Sequence, residues 1–201
     1  MNEFTSERKT RESIVSAKVQ TDAMRDFQIN TQKAFLNHMI ETLAWRSCMN
    51  LDVKIESKQW VLAHVIAEDS GIVLGRAFRQ MFEEKSVEGI EGNAFAFAVI
   101  DEAKAFAAIS MEGRTNCFVE RVCPGANLEQ VEDMLSCDLI AFLEGFSQGL
   151  NATIRVELQT GADPHHAWEA AFRALGEALR RAFSSNKWRK GLCVGVKGAM
   201  D

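Results

Sequence analysis

The sequence predicts an α+β protein built from two copies of one helix-bearing half, an expectation that rests on three observations. Strand-like and helix-like periods alternate in the same order twice along the chain. LNHMIETL (36–43) overlays LIAFLEGF (139–146), and HVIAEDSGIVLGRAF (64–78) overlays HHAWEAAFRALGEAL (165–179) without a gap. In the second overlay His64 falls on His165, Glu68 on Glu169, Leu74-Gly75 on Leu175-Gly176 and Ala77 on Ala178. Helices of like amphipathicity always overlay to some degree, but matching polar positions exceed what core packing alone requires. The halves divide at residues 1–92 and 93–201, joined as one compact unit.

Taken in order, Arg11 to Gln20 and Asp26 to Thr31 read as strands, and Ala34 to Arg46 carries apolar residues at helical spacing. A strand over Leu51 to Glu56 and a helix from Ala63 to Glu84 complete the first half. Phe95 to Val99, Ala105 to Met111 and Asn116 to Val122 read as strands separated by turn residues. Helix, strand and helix then return at Leu128 to Leu150, Thr153 to Leu158 and Pro164 to Ser184.

Composition narrows the function. With 47% hydrophobic residues, 201 positions suffice for a sizeable core. The 23 Lys plus Arg against 28 Asp plus Glu give a net charge of −5, which argues against a nucleic-acid partner. The stretch MNEFTSERKTRE is charged from its second residue, and no apolar run approaches the roughly 20 residues that span a bilayer. A soluble cytoplasmic protein with no membrane partner is expected. The cysteines Cys48, Cys117, Cys123, Cys137 and Cys193 form an odd set without C-x-x-C spacing, as reduced thiols would.

A His and a Glu four apart share a helix face, so both can point at one ion. A single His-x-x-x-Glu is more commonly a solvated helix-face hydrogen bond. Here both halves keep the pair, and all four histidines, His38, His64, His165 and His166, lie on the overlaid segments. Imidazole with carboxylate suits zinc, iron and manganese, the oxygen donor favouring the harder ions. The overlay also exposes gaps: Ala141 stands opposite His38, and Val65 opposite His166. Position 65 projects about 100° from position 64, so two ions sharing ligands between halves are expected.

FLNHM (35–39), AHVIAED (63–69), IDEA (100–103), EGRT (112–115), PHHAWEAAFRAL (164–175) and VKG (196–198) together resemble imidazoleglycerol-phosphate dehydratase, and ERKTRES (7–13) resembles that family's opening strand. The resemblance covers nearly the whole chain in order. It implies two halves that each pair a four-stranded sheet with two helices, in the manner of ribosomal protein S5 domain 2, assembled into a large cubic homo-oligomer with metals between subunits. It further implies a lyase of histidine biosynthesis that dehydrates imidazoleglycerol phosphate to imidazole-acetol phosphate. Manganese ions hold the substrate's imidazole as imidazolate in that family.

By position, the resemblance assigns His38, His64, Glu68, His165, His166 and Glu169 as metal ligands and Glu12 to acid/base chemistry on a strand. It assigns Arg114, Arg173 (where lysine is usual) and Lys197 to the substrate and its phosphate. One or two Mn2+ per chain are expected, with zinc or iron as alternatives, and a small phosphorylated imidazole as substrate. Helix facing groups His64, Glu68, His38 and His166 at one ion and leaves His165 and Glu169 for the other. The departures are Val65 and Ala141 for histidines, Glu91-Gly92 for a basic pair, Phe95 for a histidine, and Gly195-Val196-Lys197-Gly198 for a Ser-Thr-Lys-Gly tail. They admit two further readings: a non-catalytic paralogue that keeps the fold and assembly, or a one-metal enzyme acting on another small substrate.

Overall fold

The computed structural model describes residues 3–58 and 62–199. The first sheet holds β1 (Glu3–Lys9), β2 (Ser13–Gln20), β3 (Gln28–Asn30) and β4 (Asn50–Ser57), in the order β1-β2-β4-β3. The second holds β5 (Asn93–Ile100), β6 (Ala103–Ser110), β7 (Asn116–Arg121) and β10 (Thr153–Thr160), in the order β5-β6-β10-β7. Strand sense agrees as well: β3 runs parallel to β4 and β7 parallel to β10, while the other pairings within the two sheets are antiparallel. Between β7 and β10 lies a short hairpin, β8 (Gln130–Val131) and β9 (Met134–Leu135).

Four helices cover the sheets: α1 (Ala34–Ser47), α2 (Ala63–Glu88), α3 (Ser136–Leu150) and α4 (Pro164–Ala182). Within the first half α2 lies over β1 and β2, and within the second α4 lies over β5 and β6. Across the halves, α1 packs on α4 and α2 on α3. Trp168, Phe78, Phe142, Phe146 and Phe172 are fully buried between these layers, each worth about 1.5–3 kcal/mol of apolar transfer. β2 buries every second residue, as a sheet with one covered face requires. The outer face of β5 is different, because Phe95, Phe97 and Val99 are all more than half exposed.

The α2–α3 crossing is set by glycine. A Cβ at Gly149 would meet the Ile72 carbonyl at 2.1 Å, one at Gly71 the Phe142 carbonyl at 2.2 Å, and one at Gly75 the Phe146 carbonyl at 2.4 Å. Only bare backbone permits this approach. Contacts advance the same way along both helices, from Gly71 with Phe142 to Gly75 with Phe146, so α2 and α3 run parallel.

The strand expected from Arg11 begins at Ser13, because Arg11 and Glu12 form the bend from β1. Glu12 is therefore an exposed turn residue rather than a strand residue. Periodicity did not mark β1; the resemblance placed an opening strand at 7–13, whereas β1 runs Glu3–Lys9. Of its seven residues only Phe4 is buried, so it carries no apolar alternation. The helix expected from Leu128 starts at Ser136, since residues 128–135 turn through the β8–β9 hairpin with Glu132 at φ 50°.

Candidate metal centre

Asp163-Pro164 starts α4: the Asp163 side chain accepts from the His165 backbone N–H at 2.7 Å, and proline occupies the first turn. His165 and His166 are thus fixed at the helix entrance. Being adjacent, they face different neighbours. His165 points at α1, where its ring meets Phe35 edge-on with centroids 5.1 Å apart. His166 points at the β5–β6 turn, with Nδ1 2.8 Å from Glu102 Oε2 and Nε2 3.5 Å from Asp101 Oδ2.

One turn into α4, Glu169 is only 6% exposed. Its Oε1 accepts from Arg173 Nη2 at 2.6 Å and Nε at 2.9 Å. Its Oε2 lies 3.2 Å from His38 Nε2 and 3.4 Å from His165 Nε2. Burial disfavours ionisation here, but Arg173 and then His38 outweigh it and hold the carboxyl below its ordinary range. Donor atoms of His38, His165 and Glu169 all fall within 4.8 Å of one another. Two imidazoles and a carboxylate fit a transition-metal ion such as manganese, iron or zinc.

This grouping differs from the one that helix facing suggests. His38 joins His165 and Glu169, because α1 packs on α4 and not on α2. His64 and Glu68 instead stand exposed on α2, where His64 Nδ1 lies 3.9 Å from Asp138 Oδ1 on α3. His166 belongs to neither set within the chain.

Three acidic residues given no role in the sequence reading support the centre, Glu132 and Asp133 outside every segment of the resemblance and Glu102 within its IDEA segment (100–103). Glu132, at the β8–β9 tip, places Oε1 3.0 Å from His165 Nδ1, leaving Nε2 for the cluster. Beside it, Asp133 accepts from the Ala34 and Phe35 backbone N–H groups, both at 2.9 Å, and so caps α1 from the other half of the chain. Glu102 accepts from the Asp163 and Ala162 backbone N–H groups and holds His166. The Asp163 bond and then the His166 bond lower the Glu102 carboxyl to about 2, and Glu102 in turn raises the His166 imidazole. For Glu132 and Asp133 the sequence offered only the acidic pair itself as a signal, without the turn that aims it.

The residues expected on phosphate lie apart. Arg173 is committed to Glu169 and also donates to the Val99 carbonyl at 3.3 Å. Arg114 precedes β7, its carbonyl accepting from Thr153 Oγ1 at 2.8 Å where β10 begins, whereas His165 follows the end of β10. Roughly 20 Å of strand separates them at about 3.3 Å per residue. Lys197 lies in the irregular segment after α4. Glu12 borders the first turns of α2, since neighbouring Ser13 donates through Oγ to buried Asp69, which also pairs with Arg8. A cleft of about 320 Å³ opens beside the centre, lined by His38, Trp45, Arg46, Glu169 and Arg173. A larger cleft of about 690 Å³ lies on the first sheet and has no histidine in its lining. No cysteine enters the His/Glu cluster, and among the described residues no helix is long and apolar enough to cross a membrane.

Two similar halves with a His/His/Glu cluster between helices point to a metal-using α+β protein, and comparison with known proteins makes this specific. Residues 31–179 match the model of the family described as imidazoleglycerol-phosphate dehydratase. Relatives of that name include one from Maudiozyma humilis, 36% identical over 168 residues (83% of this chain, 72% of the relative). Another, from Methylococcus capsulatus, is 30% identical over 202 residues and the full length of both chains. The solved imidazoleglycerol-phosphate dehydratase from Pyrococcus furiosus superposes with a TM-score of 0.79 at 27% identity, covering 96% of this chain and 99% of that one. The enzyme from Staphylococcus aureus shares the fold at a TM-score of 0.78 and 22% identity, with 92% of this chain and 100% of that one covered. The chain belongs to the imidazoleglycerol-phosphate dehydratase family.

Proposed function

We propose that this protein is a metal-dependent hydro-lyase of histidine biosynthesis that dehydrates imidazoleglycerol phosphate to imidazole-acetol phosphate. Family membership supplies the reaction class. The observation that carries the reading is the preformed His38–His165–Glu169 cluster, whose carboxylate is held by Arg173 and whose His165 is oriented by Glu132. These three residues would hold the ion, manganese being favoured by the oxygen donor. A divalent cation supplies positive charge that stabilises negative charge developing on the imidazole ring of the substrate.

The chain's own groups then have separate tasks. Glu169 stays ionised because Arg173 and His38 oppose its burial. Glu12, exposed in the β1–β2 turn beside α2 and so placed to serve the centre of a neighbouring copy, would take the proton that leaves a glycerol carbon and pass it to the departing hydroxyl, which leaves as water with the carboxylate regenerated. Arg114 and Lys197 would contact phosphate. Arg114 lies a strand length from His165 within one chain, so it would serve the centre of a neighbouring copy, which supports a homo-oligomer with sites between subunits in the cytoplasm. The halves 1–92 and 93–201 descend from one duplicated unit, a reading that the matching strand order of the two sheets supports.

A second reading, a paralogue without catalysis, draws on Val65, Ala141 and the apolar β5 surface around Phe95. Direct assay separates the two. Manganese-loaded protein should convert imidazoleglycerol phosphate to imidazole-acetol phosphate, and His165→Ala should lower kcat/KM by at least about 100-fold. No product from the loaded wild-type protein would overturn the enzyme reading.

A further inference from the structure

The β1–β2 turn, residues 10–12, is held more firmly than an exposed turn requires. Thr10 Oγ1 accepts from the Glu12 and Ser13 backbone N–H groups at 3.1 and 3.0 Å, and the Thr10 N–H donates to the Ser13 carbonyl at 2.9 Å. Just past β4, the Lys58 N–H donates to the Glu12 carbonyl at 2.8 Å and Lys58 Nζ donates to the Thr10 carbonyl. Both backbone groups of Glu12 are therefore bonded while its side chain stays exposed.

Under this turn sits a carboxylate that the proposed reaction does not use. Asp69, on α2, is only 4% exposed; its Oδ2 accepts from Ser13 Oγ at 2.5 Å and its Oδ1 accepts from Arg8 Nη1. Arg8 lies on β1, and Ser13, itself buried, opens β2. One side chain of α2 thus ties together both strands that flank the turn.

We infer that Asp69, acting through Ser13 and Arg8, is a positioning residue that holds the β1–β2 turn on α2 and so fixes where Glu12 carries its carboxylate. The inference rests on the reading of Glu12 as the group that takes the proton.

The second half shows that packing a helix on such a hairpin does not itself need this contact. The overlay of His64 on His165 sets Ala170 opposite Asp69, and Ala170 is fully buried on α4, which lies over β5 and β6. A methyl group suffices there. A buried ion pair is also weak support for stability, because desolvation offsets much of the attraction between its partners. What Asp69 supplies is geometry: bonds to strands on either side of the turn restrain both sliding along α2 and swinging away from it. A general base must lie within hydrogen-bond reach of the proton it abstracts, and a misplacement of about 1 Å costs about 100-fold in rate.

The test is a double-mutant cycle on the manganese-loaded full chain, with steady-state kinetics on imidazoleglycerol phosphate and hydrogen exchange of the turn amides by mass spectrometry. Glu12→Gln should lower kcat about 100-fold or more. Ser13→Ala and Asp69→Asn should each lower kcat about 10- to 100-fold, with KM within about twofold and manganese content unchanged. The turn amides should exchange at least about 10-fold faster in both. Neither substitution should reduce kcat further once Glu12→Gln is present, because all three act through one carboxylate. A purely structural Asp69 would instead lower kcat by the same factor in both backgrounds. Such multiplying losses, loss of manganese together with kcat, or wild-type kcat in Ser13→Ala would overturn the inference and leave Glu12 its role. Unchanged kcat in Glu12→Gln would remove the reading of Glu12 and the inference with it. If Asp69→Asn fails to fold, Ser13→Ala, which removes only a hydroxyl, decides alone.

Discussion

The two cross-half helix pairs share one parallel arrangement and use it differently. In α1–α4 the backbones stand far enough apart for His38, Glu169 and Arg173 to fit between them, and His38 and Arg173, themselves partly open to solvent, satisfy the nearly buried Glu169 carboxylate. In α2–α3 glycines at 71, 75, 145 and 149 bring the helices into backbone contact, and His64 and Glu68 stay at the exposed rim. Of the four glycines only Gly75 has a glycine counterpart, Gly176; Gly71, Gly145 and Gly149 overlay Phe172, Thr42 and Arg46. Spacing set by small residues therefore decides which pair can hold a polar cluster between its helices. The closer pair contributes more to holding the halves together, and the wider pair houses the better-ordered centre.

The largest effect is expected from filling the close crossing. Gly149→Leu places atoms where the Ile72 carbonyl and the Arg76 N–H already lie at 2.1 and 2.9 Å from a Cβ, and should destabilise the chain by about 3 kcal/mol or more. The counterpart Arg46→Gly exchanges a tolerated long side chain for glycine and should cost only about 1 kcal/mol of helix propensity. Urea unfolding of the two variants checks the contrast. Equal losses would mean that the pairs are equally close-packed.

Next in size is Arg173→Met. Removing the cation from a carboxylate that is nearly buried should destabilise by about 2 kcal/mol, a value reduced from the fully buried case because Arg173 is partly exposed. Manganese affinity should fall about 10- to 100-fold as Glu169 loses its fixed orientation. The pH dependence has a definite sign. Glu169 is held below its ordinary value of 4.5 in the folded chain, so its contribution is present above that value and is lost as pH falls through the folded value. Arg173→Met should flatten this acid limb of stability, measured by urea midpoints at successive pH values.

Glu132→Gln should act on the metal with little change in stability, because the Glu132 carboxylate is more than half exposed. Loss of the charged partner on His165 Nδ1 is expected to weaken manganese binding about 10-fold, while the urea midpoint stays within about 0.5 kcal/mol. An unchanged affinity would show that Phe35 packing alone orients the ring.

Most of the fold was legible because its elements carry strong periods. α1, α2 and α4 start where the sequence places them, at Ala34, Ala63 and Pro164, since apolar spacing and, for α4, Asp163-Pro164 mark those points. β1 was not legible from periodicity, because an edge strand with one buried residue has no alternation to read, and only the resemblance pointed to an opening strand there. The donors His38, His165 and Glu169 were identifiable as residue types, but their grouping was not. Facing along one helix does not say which helix lies opposite, and that choice depends on the long-range packing of α1 on α4. Glu132 and Asp133 were hidden for a related reason. A polar stretch before an apolar helix reads as its first turn, and only the left-handed backbone at Glu132 converts it into a hairpin aimed at the other half.

The smallest perturbation reads the same comparison without altering the chain. Cys117 lies on β7 next to α3, where burial, reinforced by the charge of Glu144, pushes its thiol up to about 12. Cys48 closes α1 and is exposed, as is Cys137 at the start of α3. The thiolate is the reactive form, so iodoacetamide at pH 8 should modify Cys48 and Cys137 and leave Cys117 untouched. Mass spectrometry of the labelled chain measures this directly. Labelling of Cys117 in the native protein would require α3 to part from β7, and the rate at which low urea brings it on reports the opening of that side. Gly149→Leu should raise that rate and Arg173→Met should not, because only the first disturbs the helix that covers Cys117.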